Sequence, residues 1–226
     1  MAHEWQDPEF AQAWDGRALT GNPAREAHLS LLLAILEPAD PGWIVDLGCG
    51  SGLVAQMVLD RFSNVKVFGL DSSTAMLDIA KHRLSRFGER VVLADGDLTS
   101  LDRVEAPGEC TAAIAVQSLH HLEESHYRSV VAWTFDHLVP GGSFFIIDRV
   151  AIPSGDLYST FRAARVHNGQ TPNQPDWPTY VEWLGATGDR PQPMRVILAL
   201  LEQAGFEAAA LDVRADRALL IGRRPA

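Results

Sequence analysis

Between residues 43 and 147, short apolar runs alternate with helical periods, and this alternation constrains the fold more than any other feature. Trp43 to Leu47, Val65 to Leu70, Val91 to Ala94, Thr111 to Val116 and Ser143 to Ile147 each read as a strand. A helix is expected after the first strand, ending near Phe62, and another from Thr74 to Phe87. A third runs from about Glu123 to His137, with Tyr127, Val130, Val131, Thr134 and Leu138 at helical spacing, and Pro140-Gly141-Gly142 ends it. Strands and helices alternating at this pace form βαβ units, which give a mainly parallel sheet covered on both faces. A chain of 226 residues is long enough for one such domain with a single buried core.

The ends of the chain depart from the pattern. Leu29, Leu32, Leu33 and Leu36 mark an amphipathic helix over about 24–37, stopped by Pro38 and Pro41-Gly42. Six prolines between 153 and 193 mark an irregular or helical insertion. A last helix from about Met194 to Ala204 precedes Gly205, placed where a helix end needs positive φ. Phe206 to Val213 and Ala218 to Ile221 then read as two strands, antiparallel because a short turn at Ala215-Asp216 joins them. The expected division is an N-terminal helical lid (1–40), a nucleotide-binding core (41–150), a substrate-lid insertion (151–193), and a helix with closing strands that complete the core (194–226).

The chemistry centres on Val45-Asp46-Leu47-Gly48-Cys49-Gly50-Ser51-Gly52, where the first strand passes into the first helix. Such a loop lies beyond the carboxyl ends of the strands, where open α/β sheets bind ligands. It has no lysine for a Walker A loop, and its third glycine comes one residue early for a dinucleotide fingerprint. Asp46 would repel a pyrophosphate, so the loop suits a cationic ligand without phosphates. The next strand ends in Asp71, suited to ribose hydroxyls, and the third leads to Asp97, suited to an exocyclic purine amine. Any one of these reads as a solvated loop acid or helix cap; three at successive strand ends point to a nucleoside carrying a positive charge.

These segments resemble the class I S-adenosylmethionine-dependent methyltransferases, in the small-molecule branch. The glycine loop is similar to their first motif, Gly69-Leu70-Asp71-Ser72-Ser73 with Met76-Leu77 to their second, and Gly96-Asp97 to their third. Leu138-Val139-Pro140-Gly141-Gly142 and Glu202-Gln203-Ala204-Gly205-Phe206 resemble the segments before their last strands. The resemblance implies a Rossmann-like, seven-stranded, mostly parallel sheet with an antiparallel last strand. It implies S-adenosyl-L-methionine as cofactor and S-adenosyl-L-homocysteine as product. By position, Gly48, Cys49 and Gly50 would face the methionine moiety and Asp71 the ribose. Ser72 and Met76 would flank the adenine, Asp97 and Leu98 would meet its edge, and Gln117 and Ser118 would line the methyl-donor end. Cys49 reads as a small residue that fits, not as a nucleophile.

Strand four runs into Gln117-Ser118-Leu119-His120-His121-Leu122. The donor is already activated, so the protein aligns the acceptor and takes a proton where one must leave. His121 is placed to do so, and so is His120; the same segment also reads as a wall of the cofactor site. No acid cluster for a metal-assisted reaction is visible, and no metal is expected. Trp14 and Arg17 before the core, and Tyr158, Arg162 and Trp177 in the insertion, are the candidate substrate residues. Their alternative role is to pack the lid onto the sheet. The aromatic content favours a small apolar or aromatic acceptor, optionally bearing a carboxylate.

The net charge of −10 disfavours nucleic acid and anionic lipid as partners. The longest apolar run, Leu31 to Leu36, is far short of a membrane span, and no signal peptide is visible. Two cysteines cannot form a disulfide framework. A cytoplasmic monomer or homodimer is the expectation. Two other readings use the same fold: a tRNA-modifying enzyme that takes a carboxylated S-adenosylmethionine, and a module that binds cofactor or partner without catalysis.

Overall fold

The computed structural model describes residues 3–17, 22–36, 42–170 and 173–226. Pro38, Pro41 and Pro172, and the expected boundary near residue 40, lie outside the described residues. After a 3-10 turn at His3–Gln6 come α1 (Pro8–Asp15), α2 (Pro23–Ile35), β1 (Trp43–Leu47), α3 (Leu53–Arg61), β2 (Lys66–Asp71), α4 (Thr74–Leu84) and β3 (Val91–Asp95). Then follow β4 (Cys110–Val116), α5 (Glu124–His137), β5 (Leu138–Arg149), α6 (Gly155–His167), α7 (Trp177–Thr187), α8 (Met194–Gln203), β6 (Glu207–Arg214) and β7 (Arg217–Arg223).

The seven strands form one sheet in the order β3-β2-β1-β4-β5-β7-β6. β1 pairs in parallel with β2 and β4, and β2–β3 and β4–β5 are parallel as well. β7 is antiparallel to both β5 and β6, so the closing hairpin inserts its second strand inside its first. The chain leaves β1 toward β2 and β3, then returns to β4 on the other side of β1. That reversal opens a crevice at the carboxyl ends of β1 and β4, where ligands bind in folds of this kind.

The two-residue period of the strands sorts the core into two layers. Val45, Leu47, Ala113, Phe144 and Ile146 pack with Tyr127, Val130, Leu200 and Leu201 of α5 and α8 on one face. Ile44, Ile114, Val116, Phe145 and Ile147 pack with Leu29, Leu32, Val54, Val58 and Ala80 of α2, α3 and α4 on the other. Each fully buried Val, Leu, Ile or Phe side chain among them contributes roughly 1.5–3 kcal/mol. Asp46 shares the alternation of Ile44, and so reaches the α2 layer as a buried carboxylate.

Two expected boundaries shift. The helix read to Phe87 stays α-helical only to Leu84 and continues as 3-10 turns broken at Gly88, whose φ of 54° and ψ of −129° no helix accepts. β5 begins at Leu138 and not at Ser143, because the Pro140-Gly141-Gly142 segment stays in the ladder as a bulge between the Cys110–Leu138 and Ala112–Ser143 pairs. Gly205 has the positive φ its place required. The insertion is two helices, α6 and α7, packed through Ile152, Tyr158 and Tyr180.

Candidate active site

The glycine loop is bent back onto the sheet: Gly48 N and Cys49 N both donate to the Leu70 carbonyl, at 2.8 and 3.0 Å. Gly48 has a φ of +73°, and a Cβ there would lie 2.4 Å from the Ser118 Cβ, so only glycine lets the loop approach the end of β4. A Cβ on Gly50 would meet no atom within 4 Å, because the space beside it is a cavity. That cavity has a volume of about 350 Å³. The loop and Asp46 form its floor, Asp71, Ser72, Ser73, Met76, Gly96 and Leu98 one side, and Val116 to Ser118 with His121 the other. Trp5, Gln6 and Trp14 cover it.

Two carboxylates define its electrostatics. Asp71 accepts from Gly50 N at 2.7 Å through one oxygen and from Ser73 N at 2.8 Å through the other. Both oxygens are thereby fixed, each with acceptor capacity left. Burial raises the Asp71 pKa despite these hydrogen bonds. Asp46 is buried, and its Oδ2 has no hydrogen-bond partner among the described residues. Burial, reinforced by the nearby Asp71 charge and opposed by Arg25, pushes the Asp46 carboxyl up to about 7. Arg25 lines the same cavity from α2, with its guanidinium 5.1 Å above the Trp14 ring.

The cover is strapped down by polar contacts. The Gln6 amide donates to the Ser72 carbonyl at 2.7 Å and accepts from Thr74 N, and the Ser73 hydroxyl donates to the Trp5 carbonyl. Arg83 of α4 grips both oxygens of Asp15 at 2.9 and 2.8 Å, and also donates to the Ser51 carbonyl and hydroxyl. One guanidinium thus joins the end of α1 to the glycine loop.

The two histidines after β4 have different surroundings. His120 is buried, its Nδ1 2.5 Å from Asp148, while its backbone N and that of Leu119 donate to the other Asp148 oxygen. Its Nε2 lies 3.7 Å from Asp189. His121 has its Nδ1 3.3 Å from Asp189 and lines the cavity. Burial raises the Asp148 and Asp189 carboxyls, but their histidine partners, helped at Asp189 by Arg149, outweigh it and leave both below the ordinary value. Ionised carboxylates only accept, so each Nδ1 is placed to donate to its aspartate. A second cavity of about 450 Å³ adjoins the first, and Trp5 and His121 line both. Thr99, Leu122, Glu123, His126, the Gly185–Gly188 turn and Arg190 complete it.

Residues 44–142 match a family model described as a methyltransferase domain. The chain is 30% identical to trans-aconitate 2-methyltransferase of Acidovorax ebreus over 87% of its own length and 84% of that protein's. It belongs to the S-adenosylmethionine-dependent methyltransferases. The fold is similar to that of an O-methyltransferase family protein from Burkholderia thailandensis, with a TM-score of 0.71, 18% identity and 97% of this chain covered. It is also similar to human N-acetylserotonin methyltransferase in complex with S-adenosylmethionine, with a TM-score of 0.64, 17% identity and 97% of this chain covered. The chain spans 61% and 56% of those two solved chains, and 64% of a further curated relative also called trans-aconitate 2-methyltransferase.

The cavity fits the cofactor of this methyltransferase. An orphaned buried carboxylate oxygen on Asp46 awaits a cation, Asp71 presents two fixed acceptors, and the place of a Cβ at Gly50 is open. Asp46, Gly48, Cys49, Gly50, Asp71, Ser72, Met76, Leu98, Gln117, Ser118 and Trp14 all line it. Asp97 does not: one of its oxygens accepts from Thr99 N at 2.8 Å in a local turn, and Gly96 and Leu98 on either side face the cavity. Cys49 is buried, and burial with Asp46 and Asp71 nearby pushes its thiol well up, which suits a packing residue.

Four expected substrate residues lie outside both cavities. Tyr158 and Trp177 pack with their ring centres 5.3 Å apart, tilted by 57°, between α6 and α7, and the Tyr158 hydroxyl donates to the Pro175 carbonyl. Their stripe holds the insertion together. Arg162 is half-buried on α6, and Arg17 is exposed with its Nε on the Ala13 carbonyl. Arg165, one turn on from Arg162, is buried in a two-pronged bond to Asp216 at 2.7 Å. Arg25, Asp189 and Arg190 escaped the sequence reading. Arg25 carried a signal: it sits on the buried face of the α2 leucine helix, four residues before Leu29. Asp189 carried none, since only the fold brings it to the histidines.

Proposed function

We propose that the first cavity holds S-adenosylmethionine, that the second receives a small acceptor, and that His121 takes the proton from an acceptor oxygen. The observation that carries this reading is the position of His121 on the wall both cavities share, with its Nδ1 held by Asp189.

The bound cofactor supplies a methyl group activated on a sulfonium. Asp71 accepts from the ribose hydroxyls, while Asp46 takes the ammonium and Arg25 the carboxylate of the methionine end. Met76 and Leu98 pack on the purine. Trp5, Gln6 and Trp14 exclude water, which strengthens these charge contacts. Asp189 fixes the His121 ring with Nε2 as the acceptor, a role suited to a base at neutral pH. His120, clamped by Asp148, positions the shared carboxylate Asp189 from behind. An apolar or aromatic acceptor body is favoured by Trp5 and Leu122 beside His121.

The test is methyl transfer from labelled S-adenosylmethionine to a panel of phenols and hydroxy acids. His121→Ala is expected to lower kcat by ~10²–10⁴ while leaving S-adenosylhomocysteine binding in place. An His121→Ala enzyme of full activity would remove His121 from the chemistry.

A further inference from the structure

We infer that the acceptor is an organic acid, anchored by its carboxylate on Arg190 with His126 beside it in the second cavity. This rests on the reading of that cavity as the acceptor chamber.

The two cavities sort charge in opposite senses. The first is lined by two acids, Asp46 and Asp71, against Arg25, and it shares His121 with the second. That balance suits a cationic ligand. Beyond the shared His121, the second is lined by Arg190 and His126 against one acid, Glu123, with Arg190 and Glu123 both exposed. Thr99 and Thr187 add hydroxyls, and Trp5 and Leu122 an apolar surface beside His121. A chamber of this kind recognises an anion at one end of an apolar body.

Arg190 is well placed for that role. Its backbone N donates to the His120 carbonyl at 2.5 Å, which fixes it beside the histidine pair. The preceding residue, Asp189, is turned inward, where His121 and Arg149 hold it. The adjacent acid is therefore committed elsewhere, and no ion pair involves the Arg190 guanidinium among the described residues. It presents two parallel N–H groups, the geometry a carboxylate matches. His126, half-buried on the first turn of α5, has no hydrogen-bond partner among them either and lines the same chamber. An acid seated there brings an anion toward the cationic donor, and the opposite charges favour a joint complex.

The experiment is calorimetry on the full chain saturated with S-adenosylhomocysteine. The probes are 4-hydroxybenzoate beside its methyl ester and trans-aconitate beside its trimethyl ester. S-adenosylhomocysteine is titrated first; if it does not bind, the acceptor-chamber reading itself fails. With it bound, at least one acid is expected to bind tenfold or more tightly than its ester. Arg190→Gln should abolish that preference, Arg190→Lys should keep part of it, and His126→Gln should weaken it. Equal affinities of both acids and their esters for the wild type, or an acid preference that survives Arg190→Gln, would overturn the inference.

Discussion

Asp46→Asn separates the ligand's role in this site from the fold's. The carboxyl of Asp46 is pushed from an ordinary 3.8 to about 7, so between those values the fold holds a proton there that the unfolded chain releases. A carboxyl with a raised pKa in the fold stabilises fully below its unfolded value and loses that contribution as pH rises toward the folded value. Comparing the two titrations, ionisation of Asp46 destabilises the empty fold by about 2 kcal/mol at pH 5 and about 4 kcal/mol at pH 8. The neutral amide is nearly isosteric and carries no such penalty. The variant should therefore be more stable than the wild type, by a margin that grows between pH 5 and pH 8. Part of the gain is offset because Arg25 loses the charge that faces it. Urea unfolding of both proteins at several pH values measures the margin. The same variant should bind S-adenosylhomocysteine at least tenfold more weakly, since a charged hydrogen bond of roughly 1.5–3 kcal/mol is gone. A margin that does not change with pH, or a variant that binds as tightly as the wild type, would refute the reasoning.

Other substitutions test other contacts. Asp71→Ala removes both fixed acceptors and should abolish cofactor binding in calorimetry, with the circular dichroism spectrum unchanged. Gly48→Ala forces a Cβ to within 2.4 Å of Ser118 at positive φ, and should destabilise the fold by about 2–4 kcal/mol in urea unfolding. Arg83→Ala cuts the strap between α1 and the glycine loop; faster amide exchange over residues 8–15 and faster S-adenosylhomocysteine release by stopped flow are expected. Asp189→Asn should lower kcat about as far as removal of His121 does, with the KM for S-adenosylmethionine little changed.

Much of the core was legible because its signals are local. The strand–helix alternation, the glycine loop and the acids at Asp46 and Asp71 lie within short stretches, and a parallel sheet admits few ways to arrange them. Asp97 reads like its neighbours but turns aside, since an aspartate two residues before a free N–H caps it locally. The aromatic stripe at Tyr158 and Trp177 satisfies helical spacing equally well for packing and for binding, and only the tertiary contacts decide between them. Asp189 and Arg190 join the site from a segment nearly 70 residues beyond the histidines, by way of α5, β5, α6 and α7. Nothing in their local sequence marks them.

The central claim is that the two cavities meet at His121, donor on one side and acceptor on the other. A crystal structure with S-adenosylhomocysteine bound tests it most directly. The account predicts the ribose on Asp71, the amino-acid end between Asp46 and Arg25, and the sulfur facing the His121 wall toward the second cavity. A sulfur turned away from His121, or a ligand seated outside the first cavity, would contradict it.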